Sequence, residues 1–166
     1  HRWGGEGEWK VRSLAQSIRR LSAVVEVVEF PEHLKPSNAM HIMRHYDIVL
    51  DCSDNPATRY LVSDACVQAC KPLVFGAALG LDGQVAVFNH PPRFSQADAA
   101  LPNSSKCPCY RCIFPKPPPP AAVGSCADSG VIGPTTGIVG TMQALQTIAV
   151  ILSSSTPSSS TSSTPT

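Results

Sequence analysis

The chain has 166 residues, of which 43% are hydrophobic, and its 13 Lys and Arg nearly balance its 12 Asp and Glu. This length is enough for one hydrophobic core, and a net charge of +1 provides no broad basic field for nucleic acid. Seven cysteines without a secretory signal at the start are typical of a reducing compartment, where thiols serve as metal ligands, nucleophiles or small buried residues. We therefore expect a cytosolic protein with one domain, or part of one.

The first half of the sequence predicts alternating helices and strands. Apolar residues recur at helical spacing over 10–21 and again, after Pro36, over 38–45. The β-branched stretch 23–30 predicts a buried strand, and the apolar run 48–51 predicts another. This β-α-β alternation is typical of an α/β fold.

A polar turn of Ser53, Asp54, Asn55 and Pro56 separates the second of these strands from a helical pattern at 57–71. The carboxyl ends of parallel strands and the starts of the helices that follow them are favoured ligand sites. The carboxylate of Asp54 is suited to Mg²⁺ at such a site. A second interpretation is that Asp54 caps the helix, since Asp before Asn-Pro is a good helix start.

Two strands and a loop are predicted next. The apolar run 73–76 predicts a strand, and a turn at 81–83 leads into an alternating strand at 84–89. Residues 91–106 contain several prolines and no periodicity, which indicates a loop.

An apolar segment at 136–152 has the length of a helix, with Gly137 and Gly140 able to permit close packing. Its 17 residues, with Thr and Gln among them, are at the short limit for a membrane span, so we favour a buried core helix. Residues 153–166 are only Ser, Thr and Pro, which predicts a disordered tail after a domain over 1–152.

The cysteines divide into groups by spacing. Cys109 and Cys112 form a Cys-x-x-Cys pair, which is half of a tetrahedral zinc site. No Cys or His follows Cys126, so a second half is not in this sequence, and Cys107 is the available third ligand. On the helix at 57–71 we expect Cys66 and Cys70 to pack in the core, where free Cys behaves as a small hydrophobe.

Four segments match family motifs in the same order. They are Asp-Cys-Ser-Asp-Asn with Arg59 after it (51–59), Gly-Ala-Ala-Leu-Gly-Leu-Asp-Gly-Gln-Val (76–85), Cys-Tyr-Arg-Cys-Ile-Phe-Pro (109–115) and Ser-Cys-Ala-Asp-Ser-Gly-Val-Ile-Gly-Pro (125–134). Together they resemble the ThiF/MoeB/ubiquitin-activating-enzyme family. The proline run 117–120 is similar to the eukaryotic branch that activates the ubiquitin-related modifier and the molybdopterin synthase small subunit.

The resemblance implies a Rossmann-like, mainly parallel sheet of the NAD/FAD-binding type, with an antiparallel extension and a crossover loop at about 91–135, incomplete at both ends. It implies ATP- and Mg²⁺-dependent adenylation of the C-terminal glycine of a ubiquitin-like sulfur-carrier protein, followed by thiocarboxylation. The pathways implied are tRNA wobble-uridine thiolation, protein urmylation and molybdenum cofactor biosynthesis.

Roles follow from the resemblance residue by residue. Lys10, in Gly-Glu-Trp-Lys-Val (7–11), binds the ATP phosphates, Asp54 holds Mg²⁺ and Asn55 contacts the nucleotide. Cys126 is the reactive thiol. The zinc half-site is formed by Cys109 and Cys112, with a second Cys pair expected far downstream. The implied partners are the sulfur-carrier protein and, in a homodimer, a second copy, with no direct nucleic-acid or membrane partner.

The family's glycine-rich phosphate loop, its ribose-binding acidic residue and the rhodanese-like domain of the eukaryotic branch are not in this sequence. We therefore expect the 166 residues by themselves to be inactive. One alternative is a non-catalytic binding remnant of the family. Another is a dinucleotide-dependent oxidoreductase, which needs a Gly-x-Gly-x-x-Gly segment that this sequence does not contain.

Overall fold

A computed structural model describes residues 7–90, 107–119 and 130–155. The chain divides into two compact units, 1–34 and 35–166. The first unit contains helix α1, Lys10–Leu21, as its amphipathic pattern predicts. Ala15 is the buried residue of this helix.

The segment after α1 differs from its prediction. Residues 23–30 form no strand, and Val24 is 93% exposed, so the strand predicted there is wrong for the described structure. The Arg19 guanidinium holds the segment instead, through Glu29 at 2.9 Å and the Val27 carbonyl at 3.2 Å. β-branched composition favours a strand only where a neighbouring strand can accept its backbone hydrogen bonds, and no described strand pairs with this segment.

The second unit is an α/β structure around a mixed three-stranded sheet. Its elements in chain order are α2 (Pro36–Met43), β1 (Val49–Asp51), α3 (Pro56–Gln68), β2 (Leu73–Leu79), β3 (Asp82–Phe88), α4 (Tyr110–Ile113) and α5 (Gly133–Ser155). The strand order is β1-β2-β3. β1 runs parallel to β2, with Leu50 beside Val74, and β3 runs antiparallel to β2, with Val85 opposite Gly76. The predicted change from parallel to antiparallel pairing is therefore confirmed.

Helices cover both faces of the sheet. Side chains along β2 alternate between these faces, so the strand contacts helices on each side. The ring of Phe75 lies on one face, where it meets Tyr110 of α4 at a centroid distance of 5.5 Å. Gly76 opens on the other face, toward α5. Leu73 and Val74 are 1% and 0% exposed, so β2 forms the centre of the core.

Two glycines bring α5 close to the sheet. A Cβ at Gly76 would overlap the side-chain amide of Gln143, and a Cβ at Gly83 would lie 2.7 Å from Cγ2 of Val139. Real Cβ atoms do not approach other atoms so closely, so a larger residue at either position would push α5 away from the sheet.

The prediction of a buried core helix holds for one face of α5 only. Val139, Gln143 and Val150 are buried, whereas Ile138, Leu145 and Leu152 are each more than 60% exposed. By length and composition, Gly133–Ser154 is the one helix among the described residues that meets the requirements for a membrane span. A single such helix is weak evidence, since core helices of soluble proteins meet the same requirements.

Candidate functional site

The polar turn after β1 lies at the carboxyl edge of the parallel pair, and its first contacts fix its shape. Asp51 is 3% exposed, and its Oδ1 accepts a hydrogen bond from the Ser53 N–H at 2.8 Å. Asn55 is the N-cap of α3, since its Oδ1 accepts from the Thr58 N–H at 2.9 Å and Pro56 is the first helical residue. The sequence motif thus produces the expected strand, turn and helix.

Assignment of the cap to Asn55 corrects one interpretation of Asp54. Asp54 does not cap α3; its carboxylate is exposed, with the Asn55 Nδ2 donating to its Oδ1 at a long 3.4 Å. An exposed carboxylate beside a helix start is able to coordinate a cation that accompanies an anionic ligand. The oxygen of the Asn55 side chain is committed to the cap, so its amide nitrogen is the group able to donate to a ligand in place of its long contact with Asp54.

Arg59 stabilises the same turn from inside α3. Its Nη2 donates to the Ser53 carbonyl at 3.3 Å, and its guanidinium carbon lies 5.4 Å from the centre of the Phe75 ring. Asp51 Oδ2, Ser53 Oγ and Arg59 Nε are buried and have no hydrogen-bond partner among the described residues. Buried polar atoms are almost always paired, so a water molecule, an ion or a ligand is needed to complete this cluster.

Gln143 of α5 reaches the same edge, and sequence reasoning missed it. Its Nε2 donates to the carbonyls of Asp51 at 3.0 Å and Val74 at 3.2 Å, and its Oε1 accepts from the Cys52 thiol at 3.6 Å. The available signal was a lone amide in an apolar helix, since a buried polar side chain must find partners.

The Cys-x-x-Cys pair is a second site. The Sγ atoms of Cys109 and Cys112 are 3.5 Å apart and are not joined in a disulfide. Two thiolates on one tetrahedral zinc ion, each at about 2.3 Å, stand about 3.8 Å apart, so the two sulfurs fit half of such a site. No group of three or more possible ligands occurs in the described part of the chain, so Cys107 does not complete it.

An aromatic cluster fixes this pair against the sheet. Tyr110, between the two cysteines, is 6% exposed and contacts four rings at centroid distances from 4.7 to 5.8 Å: Tyr60, Phe75, Phe88 and Phe114. Arg111 donates to both oxygens of Asp64, each at 2.7 Å. The backbone that carries the two thiols is therefore held by packing as well as by a bidentate ion pair.

The remaining cysteines differ in their chemistry. Burial raises the pKa of the Cys66 thiol to about 12, and the nearby charge of Asp51 adds to this shift. Burial also raises the pKa of Cys52, with the Asp51 charge in the same direction and the hydrogen bond to Gln143 opposing it. A thiol with a raised pKa holds less thiolate at neutral pH, which disfavours both residues as nucleophiles. Cys66 is fully buried, as predicted, while Cys70 lies beyond the end of α3 with φ of 55°.

Two further predicted site residues are Lys10 and Cys126. Lys10 is exposed at the first position of α1, in the first unit. Cys126 lies outside the described residues. The described residues resume at Gly130, and its carbonyl accepts a hydrogen bond from the Gly80 N–H at 3.0 Å. Val131 forms a β-bridge with Gly80 just after β2.

Comparison with known proteins decides the family, because the ThiF family profile matches residues 4–164. This chain belongs to the ThiF family. A relative named adenylyltransferase and sulfurtransferase uba4, from Aspergillus clavatus, is 48% identical over 165 residues, 99% of this chain and 32% of the relative. The adenylyltransferase and sulfurtransferase MOCS3-1 of Zea mays is 47% identical over 150 residues, 90% of this chain and 29% of the relative.

A third relative, adenylyltransferase and sulfurtransferase MOCS3 from Drosophila virilis, is 49% identical over 146 residues, 88% of this chain and 29% of the relative. This ThiF-family chain thus spans about a third of the length of the relatives it matches. Its Asp-Cys-Ser-Asp-Asn turn and Cys-x-x-Cys pair both lie within the matched region.

Proposed function

We propose that this chain is the nucleotide-binding part of an adenylyltransferase and sulfurtransferase. The term complete enzyme is used below for this chain joined to the remaining length of its relatives. The proposed reaction is adenylation of the C-terminal glycine of a ubiquitin-like sulfur-carrier protein by ATP, followed by thiocarboxylation. The observation that carries the proposal is the exposed carboxylate of Asp54 at the start of α3, which the cap formed by Asn55 leaves available.

The chemistry explains why such a turn is needed. A carboxylate is a poor electrophile until one of its oxygens is bonded to a good leaving group, which the adenylate provides. Asp54 would hold Mg²⁺, and this ion would supply charge neutralisation at the phosphates. The Asn55 amide nitrogen contacts the nucleotide, and the Lys10 ammonium binds the phosphates as a compact cation. The start of α3 adds the favourable end of a helix dipole.

In the second step Cys126 is the nucleophile or the carrier of the transferred sulfur. As a nucleophile, its thiolate attacks the carbonyl carbon of the adenylated glycine, the bond from that carbon to the AMP oxygen breaks, and AMP leaves with the electron pair. A sulfide-level sulfur donor then attacks the resulting thioester, which forms the thiocarboxylate and releases the Cys126 thiolate as the leaving group. The raised pKa of the Cys52 and Cys66 thiols supports assigning this step to a different cysteine.

Three further features belong to the proposal. Cys109 and Cys112 hold one structural zinc ion together with a Cys pair in the rest of the complete enzyme. The described mixed sheet is the end of a Rossmann-like, mainly parallel sheet that the complete enzyme extends beyond β1. We propose a cytosolic homodimer that serves tRNA thiolation, urmylation and molybdenum cofactor synthesis through its sulfur carriers.

The test is ATP–pyrophosphate exchange by the purified complete enzyme with a ubiquitin-like sulfur-carrier protein. Exchange should require the carrier, and a carrier without its terminal glycine is the matched control. A complete enzyme that binds the carrier but shows no exchange would favour the alternative of a non-catalytic binding remnant.

A further inference from the structure

We propose that Gln143 is a positioning residue for the nucleotide-binding turn, a role that rests on the proposed function. Gln143 is 3% exposed and lies on α5, far from the turn in sequence. Its side chain crosses to the carboxyl edge of β1 and β2, where the turn that carries Asp54 begins. It touches neither the nucleotide nor the carrier in this proposal, and it acts through the backbone of Asp51.

The contacts of Gln143 use every polar atom of its side chain. The two hydrogens of Nε2 are directed to the carbonyls of Asp51 and Val74, on neighbouring strands, and Oε1 accepts from the Cys52 thiol. Asp51 and Cys52 immediately precede the turn, so one amide fixes both residues from which the turn departs. Loss of this amide would remove one hydrogen-bond donor from each of two buried carbonyls, which destabilises the arrangement that contains them.

Gly76 supplies the space for this contact. A Cβ at position 76 would overlap Cδ, Oε1 and Nε2 of Gln143, so any other residue there would displace the amide. Gly76 has no positive φ and needs no glycine for its backbone conformation. Its lack of a side chain is thus explained by the amide that lies against it.

The same helix is continuous with the segment that follows the reactive cysteine of the proposed mechanism. Val131 pairs with Gly80 after β2, and α5 begins two residues later, at Gly133. The Gln143 amide then ties this helix to the start of the nucleotide-binding turn. Gln143 therefore ties α5 to the turn that carries the first proposed step.

The first test compares two Gln-to-Met variants of the complete enzyme. Gln143→Met keeps a long unbranched side chain without hydrogen-bonding groups, and Gln146→Met makes the same change one turn further along α5. The Gln146 side chain has no hydrogen bond in the described structure. We expect KM for ATP in pyrophosphate exchange to rise about tenfold in Gln143→Met, which corresponds to about 1.4 kcal/mol, and to stay unchanged in Gln146→Met.

The division between KM and kcat separates positioning from support of the fold. A purely structural role would reduce the fraction of folded enzyme, which lowers kcat and leaves KM for ATP unchanged. That result, or normal kinetics in Gln143→Met, would overturn the proposal.

A second pair of variants tests the packing. Gly76→Ala alone should raise KM for ATP as Gln143→Met does, because its Cβ displaces the amide. In a Gln143→Ala background, Gly76→Ala should add little, since the atoms that it would strike are gone. Additive effects of the two changes would contradict the proposed contact.

A readout that does not depend on activity keeps this inference separate from the proposed reaction. Alkylation of Cys52, followed by mass spectrometry of its peptide, should be several-fold slower in Gln143→Met than in wild type or Gln146→Met, because loss of the hydrogen bond that lowers the pKa of this thiol leaves less thiolate to react. Equal rates would contradict the inference whether or not the wild type shows exchange. Slower alkylation in Gln143→Met, together with no pyrophosphate exchange by the wild type, would support the contact and reject the proposed reaction.

Discussion

Adjacent residues in the proposed nucleotide-binding turn should differ in how their mutation affects stability. Asp54→Ala removes an exposed carboxylate that makes only a 3.4 Å contact, so the free energy of unfolding should change by less than about 0.5 kcal/mol. Loss of the metal's ligand should cost adenylation about 3–4 kcal/mol, a decrease of about 100- to 1000-fold in kcat/KM. Asn55→Ala removes the N-cap bond to Thr58 and should destabilise the domain by about 0.5–2 kcal/mol.

The assay pairs pyrophosphate exchange with denaturant unfolding for both variants, and Asp54→Asn serves as the control that keeps side-chain size and removes charge. Asp54→Asn should lose exchange nearly as fully as Asp54→Ala, since a neutral amide is a poor ligand for Mg²⁺. Near-normal exchange by Asp54→Ala would refute the assignment of Asp54 as a Mg²⁺ ligand. A stability loss in Asp54→Ala equal to that in Asn55→Ala would refute the assignment of the cap.

Three other predictions address the cysteines. In the complete enzyme, Cys126→Ala should retain adenylate formation, as measured by pyrophosphate exchange, and should lose thiocarboxylate production. Normal sulfur transfer by this variant would exclude Cys126 as the reactive thiol. The complete enzyme should contain one zinc ion per chain by elemental analysis, and Cys109→Ser should lose it, whereas retained zinc would place the site elsewhere. Because the pKa of Cys66 is raised from 9.0 to about 12, its buried thiol stabilises the fold fully below pH 9 and progressively less as pH rises toward 12. Wild type should therefore lose stability between pH 9 and 11 more steeply than Cys66→Ala, and parallel slopes in urea unfolding would contradict this.

Local sequence signals predicted the turn of the candidate site well. Pro56 and the cap formed by Asn55 lie within a few residues of each other, and their geometry depends on the helix that they start. The same holds for the Cys-x-x-Cys pair, whose two sulfurs are brought within 3.5 Å by a single short turn at α4. The sequence could not show which of Asp54 and Asn55 forms the cap, since both residue types are favoured there.

Predictions that depended on distant partners were less accurate. The β-branched stretch at 23–30 has the composition of a strand and forms none in the described structure, because a strand needs a neighbour with which to pair. For α5 the composition indicated burial on all sides, yet only one face packs on the sheet. The hydrophobicity of a helix indicates that its surface favours burial. How much of that surface is buried depends on which other helices and strands pack against it.

Gln143 shows why the centre of a site is harder to predict than its motifs. The residue is 92 positions from Asp51, and no local pattern links the two. The residues around Gln143 also have local explanations that do not involve it. Asp51 is the last residue of a strand, and Gly76 is the first residue of a segment that resembles a family motif. Their connection is visible only in the packing of α5 on β2, where the absence of a side chain at Gly76 leaves space for the Gln143 amide. Substitution at Gly76 should therefore affect the proposed nucleotide-binding turn although Gly76 is on a different strand, because the effect passes through the Gln143 amide to the Asp51 carbonyl.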